Sequence, residues 1–73
     1  MYINIKHTKE FIKLTDNQFR VLLLITSYKE GVDLKTISIQ TNKSLYVSQK
    51  ILSSLLKEDL ITQSNNLYFR KDN

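Results

Sequence analysis

The chain has 73 residues, no cysteine, no proline and one glycine, Gly31. That length holds one small core, the missing thiols exclude disulfides and thiolate metal sites, and so little Gly and Pro argues against a loop-rich fold. With 41% hydrophobic and 25% charged residues the composition is globular, and a net charge of +4 suits an anionic partner.

No apolar run approaches the ~20 residues that span a bilayer; the longest is Val21–Ile25. Met1–Lys6 has no signal-peptide core or cleavage site, so a cytoplasmic protein without membrane association is expected. Tyr2–Lys6 alternates in polarity and predicts a short N-terminal strand. His7–Glu10 reads as a turn, and Phe11–Leu14 as a second extended piece.

Thr15-Asp16-Asn17-Gln18 fits a capping box, in which the Thr hydroxyl and the Gln side chain satisfy each other's free amides. The helix it opens should run to about Lys29, with Gly31 as its left-handed stop. Phe19, Leu22, Leu23 and Thr26 form one apolar face, and Val21, Leu24, Ile25 and Tyr28 a second, nearly opposite. A helix apolar on two sides needs two covers, the second being the N-terminal segment or another subunit. Val21, Leu24, Ile25 and Tyr28 are therefore the expected interface of a homodimer.

Asp33 caps a predicted second helix from Leu34 to Thr41, which buries Leu34 and Ile37, with Ser38 and Thr41 beside them. Asn42-Lys43 breaks it, because Asn tolerates a left-handed turn. Ser44 then caps a third helix from Leu45 to Glu58. Leu60–Gln63 and Leu67–Arg70 read as two strands joined by Ser64-Asn65-Asn66. There is no repeat, linker or low-complexity segment, so residues 1–73 are expected to form a single domain, mainly α with a small β-hairpin.

The third helix carries the functional signal. Leu52 centres a buried face with Leu45, Ser48, Leu55 and Leu56, and Ile51 lies just outside it. The opposite face presents Tyr46, Lys50, Ser53 and Lys57, with Gln49 flanking. Leu34–Lys57 contains Lys35, Lys43, Lys50 and Lys57 and no Asp or Glu, and acids would repel phosphate. Gln can bond adenine bidentately, Ser and Tyr can reach bases or phosphates, and Lys can contact phosphate or guanine. Val47 also points outward, toward a thymine methyl or a protein surface.

From Ile37 to Ile61 the spacing resembles the winged helix-turn-helix family: Ile37 and Ser38 open the pattern, Asn42 turns, Ser44 caps, Leu52 and Leu55 recur, and Asp59-Leu60-Ile61 leads out. The multiple-antibiotic-resistance and staphylococcal accessory regulators look similar, as do winged-helix heads of plasmid and phage replication initiators. The resemblance implies three helices plus a two-stranded wing, with double-stranded DNA as partner. It also implies that the wing, with Asn65 and Asn66 at its tip and Arg70 and Lys71 beyond, follows the backbone or enters the minor groove. The DNA-binding set is then Lys35, Lys43, Ser44, Tyr46, Gln49, Lys50, Ser53, Lys57, Asn65, Asn66, Arg70 and Lys71. The role implied is that of a small transcriptional regulator or a replication or mobile-element accessory protein. Three positions depart from the pattern: Thr41 replaces an apolar residue, Ser48 a Val or Ile, and Asp59 the Gly before the wing.

Duller readings stand beside these. Lys50 and Lys57 fit a solvated helix face, Tyr46 a cover for its own helix, and Arg70 and Lys71 a C-terminal tail. His7, the one histidine, fits a surface role. No nucleophile–His–carboxylate set or glycine-rich phosphate loop occurs, so no enzyme, cofactor or metal is expected. The alternative function is a protein-interaction module on the same scaffold, with Tyr46, Val47 and the second face of the first helix as its surface. Single-stranded nucleic acid is a third option, with only Tyr46, Tyr68 and Phe69 for stacking.

Overall fold

A computed structural model describes residues 2–4 and 11–71. Strands β1 (Tyr2–Asn4) and β2 (Phe11–Lys13) pair antiparallel, with Ile3 opposite Ile12. Ile5, Lys6 and the expected turn over 7–10, including His7, lie outside the described residues. Next come helix α1 (Asp16–Ser27), strand β3 (Val32–Asp33), helices α2 (Leu34–Thr41) and α3 (Leu45–Lys57), and strands β4 (Ile61–Ser64) and β5 (Leu67–Arg70). Three helices pack against a three-stranded antiparallel sheet of order β3–β5–β4. The two-residue strand β3 turns the expected two-stranded hairpin into this larger sheet, with Val32 opposite Tyr68 and Asp33 opposite Leu67.

Local chemistry sets the helix ends. The Thr15 hydroxyl accepts from the Gln18 amide at 3.1 Å, and the Gln18 side-chain oxygen accepts from the Thr15 amide at 2.9 Å, closing the capping box. Asp33 accepts from the Thr36 amide at 2.8 Å, and Ser44 from the Val47 amide at 3.1 Å. Helix α1 stops at Ser27, earlier than expected. There the Thr26 and Ser27 hydroxyls donate to the carbonyls of Leu22 and Leu24, a competition that weakens the last turn.

Helices α2 and α3 end alike. Asn42 (φ 56) and Asp59 (φ 64) adopt left-handed backbone. The Asn42 and Lys43 amides donate to Ile39 and Ser38, and the Asp59 and Leu60 amides to Leu56 and Leu55, the paired bonds of a Schellman motif. Asp59 thus adopts the conformation that its glycine counterpart in the resembling family would supply. Asn65 (φ 52) and Asn66 (φ 67) form the two-residue turn between β4 and β5, and positive φ at both central residues is the type I′ signature.

The core draws on Val21, Leu22 and Ile25 of α1, Ile37 of α2, Leu52 and Leu55 of α3, and Leu14, Val32, Leu60, Ile61 and Tyr68. Helix α1 therefore buries a single arc running from Val21 through Ile25 to Leu22, while Leu23 is exposed. This corrects the two-faced reading and the dimer interface drawn from it. Val21 and Ile25 are 0% exposed within their own chain, and Leu24 and Tyr28 are half-buried against the same core. On α3, Ser48, Leu52 and Leu55 are buried as expected, but Leu45 is 54% exposed, because the first residue of the helix overhangs the edge of the core.

The two polar departures from the apolar pattern fare differently. The Thr41 hydroxyl donates to the Ile37 carbonyl at 2.6 Å. Ser48 is 0% exposed and its hydroxyl has no hydrogen-bond partner among the described residues. An unpaired buried polar group costs about 1–3 kcal/mol. Ser48→Ala should therefore stabilise the fold by about 1 kcal/mol and raise the melting midpoint by roughly 4–8 °C in a circular-dichroism melt. An unchanged or lower midpoint would mean that the hydroxyl is satisfied.

Candidate nucleic-acid interface

The outward side of α3 is formed by Tyr46, Gln49, Lys50 and Ser53, which line one shallow hollow. Tyr46 is 69% exposed, and the Lys50 ammonium stands 5.1 Å from the centre of its ring, within cation–π reach. One helical turn separates the two residues, so the helix itself builds this contact. Tyr46 is thus not tucked beneath the body of the molecule, and Lys50 rests on an aromatic ring.

A second cleft lies between α3, the start of α2 and the β4–β5 hairpin. Leu34, Leu45 and Tyr68 contribute apolar surface there, while Lys35, Gln49, Gln63, Asn66 and Asp33 supply polar groups. Gln49 lines both depressions, so Tyr46, Lys50, Ser53, Lys35 and Asn66 belong to one continuous surface. Gln63 is an addition to the residues expected from the sequence. It shares the face of β4 that carries buried Ile61 and stands opposite Tyr68, which lines the same cleft, a placement visible only once the hairpin register is known.

Among the described residues Asp33 is the one carboxylate in the cleft wall. The Thr36 hydroxyl and amide hold its carboxyl below the ordinary carboxylate range, with Lys35 adding to the effect. Its charge is directed at the amino end of α2, where the helix dipole favours it.

The remaining predicted residues divide. Asn65 is exposed at the hairpin tip, Lys57 is exposed in the last turn of α3, and Ser44 is exposed while capping that helix. Lys43 is half-buried in the α2–α3 turn, where its carbonyl accepts from the Ser38 hydroxyl. Arg70 and Lys71 are half-exposed and each has a partner within the chain. The Arg70 guanidinium donates to the Leu60 carbonyl at 2.8 Å, and the Lys71 ammonium pairs with Asp59 at 2.5 Å. Arg70 also lines a hollow against α1 with Tyr28 and Lys29. These two half-exposed cations brace the exit from α3.

Comparison with family models, with curated proteins and with solved structures returns no match for this chain. Among the described residues no helix is long and apolar enough to cross a membrane.

Proposed function

We propose that the chain is a winged helix-turn-helix protein that binds double-stranded DNA, with α3 in the major groove and the β4–β5 hairpin as its wing. Within that class, the reading is a small transcriptional regulator or an accessory of a replication or mobile-element system, acting without catalysis. The observation that carries it is the continuous surface around Gln49, on which Lys35 and Lys50 stand among hydrogen-bonding side chains and α3 contributes no carboxylate. An α-helix about 10–12 Å across fits a major groove about 12 Å wide. Lys50 and Lys35 would meet phosphates, Gln49 and Ser53 base edges, and Asn65 and Asn66 the backbone beside the wing.

The test is the salt dependence of duplex binding. Lys35→Ala with Lys50→Ala should weaken binding to all duplexes and lower the slope of log affinity against log salt by about 0.9 for each phosphate left unneutralised. Unchanged affinity and slope in the double variant would remove this surface from the interface. The second reading, a protein-interaction module, draws on the exposed Tyr46 and Val47 side by side on α3. A stoichiometric protein partner, with no duplex shift at low salt, would favour it.

A further inference from the structure

A third hollow lies on another side of α3's entry, between α1 and the α2–α3 turn. Arg20 and Lys43 line it, with Asn17, Gln40 and Asn42 beside them and Leu24 as apolar surface. Two cations from separate elements open onto the same space, no carboxylate among the described residues lines it, and three carboxamides can donate hydrogen bonds into it. Among the described residues neither Arg20 nor Lys43 has an ion pair, although Asp16 lies one helical turn before Arg20. Like charges facing one space repel until an anion enters.

The turn that carries Lys43 is braced. Asn42 holds left-handed backbone, the Lys43 amide donates to the Ser38 carbonyl at 3.0 Å, and the Ser38 hydroxyl donates to the Lys43 carbonyl. Lys43 directly precedes Ser44, the cap of α3, so an anion held here would adjoin the electropositive end of that helix. The guanidinium fork suits a phosphate's paired oxygens, and the ammonium adds a point charge.

We propose that Arg20 and Lys43 form a phosphate site separate from the Gln49 surface, which takes one backbone phosphate of the bound duplex and so sets the depth of α3 in the groove. This rests on the DNA-binding reading. The footprint then extends onto α1, a helix that the sequence pattern alone gives to the core and to a protein interface. Because phosphate carries no base identity, the site positions the protein without selecting sequence.

Arg20→Gln tests it, since Gln keeps much of the length and helix propensity while removing the charge. With an unchanged melting midpoint, the variant should bind random and preferred duplexes several-fold more weakly, and its salt slope should fall by about 0.9. If the slope and affinity of Arg20→Gln match the parent while the Lys35/Lys50 variant loses both, the inference is overturned and the DNA reading stands. If the parent binds no duplex, the DNA reading fails, and an amide NMR titration with inorganic phosphate decides the rest. Shifts at Arg20, Gln40, Asn42 and Lys43 that vanish in Arg20→Gln would leave a site for free phosphate, and no such shifts would end the proposal.

Discussion

Leu52→Ala should cost about 3 kcal/mol of folding stability, within the range for truncating a buried leucine. Leu52 is 0% exposed, and it sits on the helix whose other side carries Gln49 and Lys50. A chain of 73 residues has a total stability of roughly 4–11 kcal/mol at 0.05–0.15 kcal/mol per residue. The loss is therefore a large share of the whole, and the urea midpoint should fall steeply. Leu52→Met, which nearly conserves volume, should cost less than about 1.5 kcal/mol. If Leu52→Ala unfolded at the parent's midpoint, α3 would not be anchored through this residue. The pair also separates folding from binding: a Leu52 variant should lose duplex affinity only where it loses helix content, whereas a Lys50 variant should lose it with the fold intact.

Gly31→Ala has the next largest expected effect, about 2 kcal/mol of destabilisation. Gly31 has φ +93, outside the ordinary range for L side chains, and that alone costs about 1–2 kcal/mol. An added Cβ would also lie 2.7 Å from two ring carbons of Phe69 and 3.0 Å from the Leu67 Cβ. The ring can swing aside at the expense of its packing, but Leu67 is part of β5 and yields less readily. Thermal melts should show a drop of roughly 10 °C, at about 4–8 °C per kcal/mol. In the Gly31→Ala background, Phe69→Leu should restore only part of the loss, because it removes the ring contact while the backbone cost persists. A Gly31→Ala chain as stable as the parent would mean that the connection between α1 and β3 can re-form around a side chain.

Except for the carboxyl end of α1, the helix boundaries were legible because they are written in short-range chemistry. Thr15 with Gln18, Asp33, Asn42 and Ser44 each act on amides and carbonyls a few residues away, and each occupies its expected place. The face of α3 was legible too, since its polar and apolar residues alternate with helical period. Helix α1 was not. The run Val21–Ile25 is apolar on every side and gives no polar stripe from which to read orientation, so only the packing reveals that Leu23 faces outward. Strand β3 escaped notice because two residues carry no periodicity, and it exists only through pairing with β5. The contacts of Arg70 and Lys71 with Leu60 and Asp59, ten and twelve positions earlier, are ones that no local rule brings together. For the candidate site, the α3 residues could be read from their spacing. Gln63 and Arg20 required knowing which elements meet.

Of the three strands of this sheet, the middle one is synthesised after both of its neighbours. Both β3 and β4 bond to β5 and not to each other, and β5 ends at Arg70. A growing polypeptide can wind its three helices as they emerge, but neither outer strand has a partner until Leu67–Arg70 has left the ribosome. Until then Ile61 and Val32 lack the strand that joins their edges, so the nascent chain is most open to wrong associations just before β5 appears.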